Sequence, residues 1–327
     1  MTPHAKAWTG ALSLTLALTL LPAQAGAAEV HKYLPDDTGA VVTINIRQIL
    51  DSALVKKHAL ERIKQGLKEN EEVQKVLDAL GLDPLKDIDQ LILASPSLNE
   101  EEKGLVIVTG RFDPDKIKAK AAEVAKNQPD LLRLQKTGVY QVYEVKVPDQ
   151  PKPVFAAVAD RNTLVASVAG EYITEALDKA AGQKKTVLQK KEIGPLLERM
   201  DAKQSVWVAV GSSALAKGLP AAADENVKEF FKKVEAIAGG VTVRDDIKAQ
   251  FVLSARDVQA AKEMNKVIAD GINQLMGIVA ILAANQKELT PLVDVIKGVK
   301  TTIKDKAVVI TAAVPAELIE KTLKPEP

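Results

Sequence analysis

The chain has 327 residues, no cysteine, 3% aromatic residues, and 44 lysines and arginines against 43 aspartates and glutamates. The absence of cysteine excludes disulfides, thiolate metal ligands and cysteine nucleophiles. The balanced charge argues against nucleic-acid binding, which needs a surplus of basic charge. Apolar residues make up 46% of the chain, which is enough for a core built mainly of aliphatic side chains.

The first 28 residues have the pattern of a secretory signal peptide. Lys6 precedes an apolar run over residues 11–21, which is too short to cross a bilayer, since that takes about 20 residues. Three small residues that follow are candidate cleavage sites, namely Ala25, Ala27 and Ala28. We therefore predict that the mature chain begins near Glu29, has no net charge and works in the periplasm or outside the cell.

Period-two alternation and amphipathic spacing predict the elements of the first half of the mature chain. The strands are predicted at 40–46, 91–94, 105–108, 139–147, 154–159 and 163–168. Helices are predicted over 54–67 and 72–80. A third helix begins at Pro114, with Asp113 as its N-cap.

The second half repeats this mixture of strands and helices. Strands are predicted at 205–210, 240–244, 247–253, 301–303 and 308–311. The longest helix is predicted over 257–284, and its last ten residues, 275–284, are apolar on all sides. Ten residues are too few to span a membrane. We expect this segment to be buried between sheets or domains, and we predict no transmembrane segment in the mature chain.

Three pairs of segments match in the same order along the chain, which indicates two divergent copies of one unit. Residues 40–46 match 205–210, residues 107–113 match 252–257, and residues 168–177 match 314–323. We predict units over 33–185 and 201–323, joined by a junction helix over 186–200. The element order predicts an α+β fold of two tandem split-βαβ-like units, with mainly antiparallel sheets covered by helices on one face.

Several clusters of carboxylates could carry acid–base or metal chemistry, but their contexts favour structural roles. Asp83, Asp87 and Asp89 lack the glycine turn and distal glutamate of a calcium loop, so a turn and helix cap is the better interpretation. The other clusters are interpreted as solvated loop tips, helix starts or hairpin turns: Glu100, Glu101 and Glu102; Glu69, Glu71 and Glu72; and Asp245 with Asp246.

The remaining candidates also favour structural interpretations. His31 and His58, the histidines left after export, have no informative neighbours. The Ser212-Ser213 pair lacks the glycines of a nucleophile elbow and suits helix capping. Three further pairs are interpreted without a ligand. They are Gly239-Gly240, as a helix stop before a strand, and Lys184-Lys185 with Lys190-Lys191, as solvated helix faces. We predict no catalytic, cofactor-binding or metal-binding residue and no cofactor.

The opening of the predicted mature chain runs Leu34-Pro35-Asp36-Asp37-Thr38 into the first strand, and Gly110-Arg111-Phe112-Asp113 precedes a helix. These stretches resemble a group of uncharacterised exported bacterial proteins with a Leu-Pro-x-Asp-Thr opening. The resemblance implies a duplicated α+β exported protein of unknown function and transfers no catalytic residue. The second unit lacks this opening.

The functional prediction is a non-enzymatic exported protein that binds an unidentified protein or envelope component, or organises the envelope. One alternative is a hydrolase or metal-assisted enzyme whose carboxylates converge only in the fold. Another is a small-ligand carrier that uses the cleft between the two units.

Overall fold

In the computed structural model, the α+β class and the antiparallel sheet are confirmed. The structure describes residues 32–70, 74, 77–78, 81–146, 150–199, 201, 203–220, 222–286 and 289–323. The predicted signal peptide lies outside these residues, as do His31, Glu71, Glu72 and most of the predicted helix 72–80.

Twelve strands form one sheet within the described residues. The strands are β1 Ala40–Ile44, β2 Ile88–Ser95, β3 Leu105–Gly110, β4 Leu132–Thr137, β5 Tyr140–Val145, β6 Val154–Asp160, β7 Thr163–Ser167, β8 Val206–Gly211, β9 Val234–Val243, β10 Ile247–Ala255, β11 Lys300–Lys304 and β12 Ala307–Val314.

The α-helices within the described residues lie between these strands and after the last one. They are α1 Ile46–Asp51, α2 Ala53–His58, α3 Leu60–Glu69, α4 Pro84–Asp87, α5 Pro114–Asn127, α6 Gly170–Ala180, α7 Gly194–Leu197, α8 Ser212–Gly218, α9 Glu225–Lys232, α10 Val258–Asn285, α11 Thr290–Lys297 and α12 Ala316–Leu323.

The sheet is continuous across the two predicted units. Its strand order is β11-β12-β10-β9-β8-β1-β2-β3-β7-β6-β5-β4. In the centre β1 pairs antiparallel with β8, from Ala40 opposite Val210 to Ile44 opposite Val206. Counted outward from this pair, the first five strands of one half, β1-β2-β3-β7-β6, follow the same pattern as the five strands of the other half, β8-β9-β10-β12-β11, and the first half then continues with β5 and β4. This order supports the predicted duplication, which stays a prediction.

Helices pack on both faces of the sheet, whereas the sequence predicted one covered face. Neighbouring residues of a strand point to opposite faces, and Val41 and Ala40 belong to different buried clusters. The Val41 face packs against α6 and the segment around α7. The Ala40 face packs against α8 and the first turns of α10. A smaller cluster places α5 against β4 and β5.

Several predicted elements are shorter or divided in the structure. The helix expected over 54–67 is divided at Ala59 into α2 and α3. The strand expected over 139–147 is β5, the second strand of a hairpin whose first strand, β4, was not predicted. The N-cap at Asp113 is confirmed, because its carboxylate accepts hydrogen bonds from the backbone N–H groups of Asp115 and Lys116.

The predicted junction helix over 186–200 is instead a 3₁₀ turn at Leu188–Lys190 followed by the single turn of α7. Its apolar side chains, including Leu188 and Ile193, are almost fully buried in the cluster on the Val41 face. The segment is therefore part of the core, and its shape is set by packing against the sheet.

Candidate functional site

Three aspartates, just before and at the start of β2, stabilise the local structure. Asp83 caps α4 by accepting a hydrogen bond from the Leu85 N–H at 3.0 Å, and Asp87 accepts one from the Asp83 N–H at 2.7 Å. The hydrogen bond from Lys86 lowers the pKa of Asp83. Asp89 forms an ion pair with Arg47 at 3.1 Å. The turn and cap predicted here accordingly match these contacts.

Two of the other acidic clusters contain carboxylates that pair with lysines. Glu100 lies 3.1 Å from the Lys103 ammonium, and Glu102 lies 2.6 Å from that of Lys152. Asp246 pairs with Lys248 at 2.7 Å beside its hairpin turn. Among the residues that the structure describes, no group of three or more histidine, cysteine, aspartate or glutamate side chains is placed to hold a metal ion.

Ser212 and Ser213 begin α8, but the carboxylate that caps the helix comes from elsewhere in the chain. Glu192, in the junction segment, accepts hydrogen bonds from the Ser212 hydroxyl at 3.1 Å and from the Ser213 N–H and hydroxyl, both at 3.2 Å. The serines therefore connect the junction segment to β8 and α8. Sequence reasoning missed Glu192, because no local spacing joins it to the serines.

The two glycines at 239 and 240 lie inside β9, so the predicted helix stop is wrong. Gly240 stands opposite Trp207 and Gly239 opposite Val208. A Cβ atom on Gly239 would lie 2.3 Å from the Gln250 carbonyl oxygen of the next strand. Glycine is needed there because the backbones of β9 and β10 approach closely.

The Leu34 to Thr38 opening is anchored by a nearly buried lysine. The Lys179 side chain is 1% exposed. Its ammonium donates to the Leu34 carbonyl oxygen at 2.5 Å and to Asp36 at 2.7 Å, and it lies 2.8 Å from Glu175. Burial would raise the pKa of both carboxyls, but the hydrogen bonds from Lys179 and Lys184 outweigh it and lower the pKa of each.

Two tyrosines and one glycine complete this anchor. The Tyr33 hydroxyl donates to Asp160, and the Tyr172 hydroxyl donates to Asp37 at 2.6 Å. The pKa of both tyrosines is raised, mainly by burial and also by these hydrogen bonds to carboxylates. A Cβ atom on Gly39 would lie 2.5 Å from the Pro96 carbonyl oxygen. The motif that carries the family resemblance therefore has a structural role here, and the i, i+4 spacing of Glu175 and Lys179 is the signal that could have pointed to it.

The C-terminal half of α10 contributes no buried side chain to the core. The helix begins with Ala260, Ala261 and Met264 buried against the sheet. Beyond residue 270 it is mostly exposed, although its sequence is aliphatic. We call residues 271–286 and 289–297, which include α11, the apolar arm. Its large exposed side chains are Leu275 at 49%, Ile278 at 57%, Ile281 at 69%, Leu282 at 46% and Leu292 at 44%.

The expectation that residues 275–284 are buried between sheets or domains is wrong. By length and composition α10 is apolar enough to cross a membrane, and its most apolar stretch is not buried in the protein. An all-apolar helix segment gains free energy only when something covers it, and the sheet covers only the first turns of α10. The arm is thus the candidate functional site.

A ligand cleft was one prediction for the boundary between the two units, but two hydrogen-bonded strands lie there. Between the two halves, β1 and β8 form a continuous antiparallel ladder. A shallow groove lies elsewhere, between α9 and the start of α10. Its charges are largely paired, with Lys232 bonded to Glu229 at 2.5 Å and Lys233 lying 2.7 Å from Glu263.

Fold and site together define an antiparallel α+β protein with an exposed apolar helical arm. No model of a known protein family and no curated protein matches the chain. Among solved structures, "Structure of crystal form I of TP0453" is similar with a TM-score of 0.43 and 8% identity over 90% of this chain and 98% of that chain.

Proposed function

We propose that this protein is a non-enzymatic, exported envelope protein that attaches to a lipid bilayer through the apolar arm. The observation that carries the proposal is the exposed aliphatic surface on the second half of α10. Monomeric soluble proteins rarely leave a large contiguous apolar patch in water, and such patches mark interaction or membrane sites. The predicted signal peptide supports a location where envelope membranes are within reach.

The composition of the arm favours lipid over a protein partner. Residues 258–297 contain no phenylalanine, tyrosine, tryptophan or arginine. The few residues that dominate the binding energy of protein interfaces are enriched in tryptophan, tyrosine and arginine. An aliphatic surface without them gains free energy from apolar burial alone, which is non-directional and suits a fluid hydrocarbon layer.

A second copy of the chain is the less favoured occupant. Residues 271–285 contain no charged side chain, whereas paired helices commonly use flanking charges to set partner and orientation. Nothing in this segment would fix such a register.

The proposal of a non-enzymatic role is supported by the contacts of the predicted carboxylate clusters. Asp83, Asp87, Asp89, Glu100 and Asp246 cap helices, close turns or form ion pairs. Their contacts with lysines, arginines or backbone N–H groups favour structural roles over the converging carboxylates that the hydrolase alternative requires.

The test is flotation of the mature chain with phosphatidylcholine vesicles. Ile278→Ser with Ile281→Ser removes two of the most exposed side chains of the arm. The matched control is Val139→Ser, at a residue 84% exposed outside the arm. We expect the unaltered chain and the control to float with the vesicles. The double variant should bind at least about tenfold more weakly, since burying one aliphatic side chain contributes about 1.5–3 kcal/mol.

The proposal is rejected if the unaltered chain does not float, or if the double variant floats as well as the control. Light scattering in the absence of vesicles identifies the rival occupant. A dimer that the double variant abolishes, together with no flotation, would assign the arm to a second copy of the chain.

A further inference from the structure

We infer that the arm lies flat in one leaflet, with the axis of α10 parallel to the membrane surface, and binds neutral lipid as well as anionic lipid. The inference rests on the proposed attachment to a bilayer and states its geometry and lipid class. It follows from the length of the apolar segment, from the positions of the charges and from the side of the helix that is exposed.

The uncharged segment is too short to cross the bilayer. Residues 271–285 extend about 22 Å as an α-helix, whereas the hydrocarbon core is about 30 Å thick. A span of about 20 residues that ends at Asn285 would include Lys266 and Asp270. It would also begin beside Met264, which is 0% exposed in the core on the Ala40 face. Charged side chains at the bilayer centre are costly to insert.

The tip of the arm is too polar to enter the membrane first. From the last residue of α10 onward the sequence reads Asn285-Gln286-Lys287-Glu288. Insertion of this tip would move two charges and two amides into the hydrocarbon, at a cost that the flanking aliphatic residues would have to offset. A flat orientation leaves Asn285 and Gln286 at the level of the lipid headgroups.

The exposed apolar side chains lie along one side of α10. Val267, Leu275, Ile278, Ile281 and Leu282 each lie three, four or eight residues from another member of this set and are 46–69% exposed. Such spacing places them on one stripe along the axis. Only a helix parallel to the surface brings the whole stripe into the acyl region at one depth, as in helices that lie in the membrane interface.

The charge of the two helices gives no preference for anionic lipid. Residues 258–297 carry four lysines and four acidic residues. The lysines are Lys262, Lys266, Lys287 and Lys297, and the acidic residues are Glu263, Asp270, Glu288 and Asp294. Polybasic segments bind anionic membranes because each unpaired cation is attracted to the negative lipid surface. The balance of lysines and acidic residues here removes that contribution.

The geometry is tested with single cysteines carrying an environment-sensitive fluorophore, because the chain has no cysteine of its own. The sites are Ile281→Cys on the stripe, Gln286→Cys at the tip and Lys262→Cys near the docked end. On phosphatidylcholine vesicles we expect the Ile281 label to shift to the blue and to lose access to iodide. The labels at 286 and 262 should stay open to iodide added outside the vesicles.

The inference is overturned if the label at 286 is the most protected, or if only iodide trapped inside the vesicles quenches it. These outcomes indicate tip-first insertion or a span, and both still require binding. Failure of every labelled chain, and of the unlabelled chain, to bind vesicles would instead reject the proposed attachment.

The lipid class is tested by comparing phosphatidylcholine vesicles with vesicles that also contain phosphatidylglycerol, at low and high salt. We expect the affinity to change by less than about twofold. Equal numbers of positive and negative charges give no net attraction to anionic lipid, and salt screens exposed charges of both signs. An affinity at least about tenfold higher on the anionic vesicles, lost at high salt, would show that the arm depends on its lysines and would overturn this part of the inference.

Discussion

Lys179 is the residue whose removal should most weaken the anchor of the mature N-terminus. Its side chain is 1% exposed and contacts Leu34, Asp36 and Glu175. Lys179→Met keeps the aliphatic stem but removes the ammonium, which leaves two carboxylates and one carbonyl oxygen without their main donor. We expect the free energy of unfolding to fall by about 3 kcal/mol, measured by urea denaturation. Lys185→Met, at an exposed lysine nearby, should change it by less than about 0.5 kcal/mol.

The same variant should show a weaker pH dependence of stability. The pKa values of Asp36 and Glu175 are lower in the folded chain than in the unfolded chain, because the hydrogen bonds from Lys179 and Lys184 outweigh the effect of burial. Both carboxylates therefore bind protons less readily when folded, so their stabilisation is complete above the unfolded pKa values and is lost as pH falls through the folded ones. Between about pH 5 and pH 3, the unaltered chain should lose more stability than Lys179→Met. Parallel pH profiles would contradict the assigned role.

The elements of this fold were largely predictable from periodicity, but their surroundings were not. Alternation located most of the strands, and the Asp113-Pro114 signal fixed the start of α5. The helix predicted over 257–284 matches α10 within one residue at each end. Its burial could not be predicted, because an all-apolar segment has the same pattern whether protein or lipid covers it. The strand β4 was missed because four of its six residues are polar.

Substitutions in the first half of α10 should lower the stability of the fold much more than substitutions in its second half. Met264 is 0% exposed in the core, whereas Ile281 is 69% exposed in the arm. Met264→Ala should lower the free energy of unfolding by about 2–5 kcal/mol, through lost burial and the cavity it leaves. Ile281→Ala should change it by less than about 0.5 kcal/mol. Both values come from denaturant unfolding without lipid, and a large loss at Ile281 would mean that the chain itself covers the arm.

At the scale of the whole molecule, the sequence predicted the class but not the connection between the halves. Strand alternation identifies which residues face a core, but it does not say which strands become neighbours over long separations. The pairing of β1 with β8 joins residues more than 160 positions apart, such as Ala40 and Val210. The segment that forms the candidate site was located in the sequence, but the prediction that it is buried was wrong. The anchor at Lys179 depends on contacts across more than 140 positions, such as that with Asp36, which no local pattern records.

This pairing predicts that the two halves unfold together. The cluster on the Val41 face contains residues of both, including Ile107 from β3 and Trp207 from β8, so neither half keeps its full core alone. Trp207 is the tryptophan that remains once the predicted signal is removed, and it is 3% exposed near the central pair. Its fluorescence should change at the same urea concentration as labels at Lys136→Cys on β4 and Lys304→Cys on β11, the two edge strands. Separate midpoints for the two labels would show that the halves are independent domains despite the shared sheet.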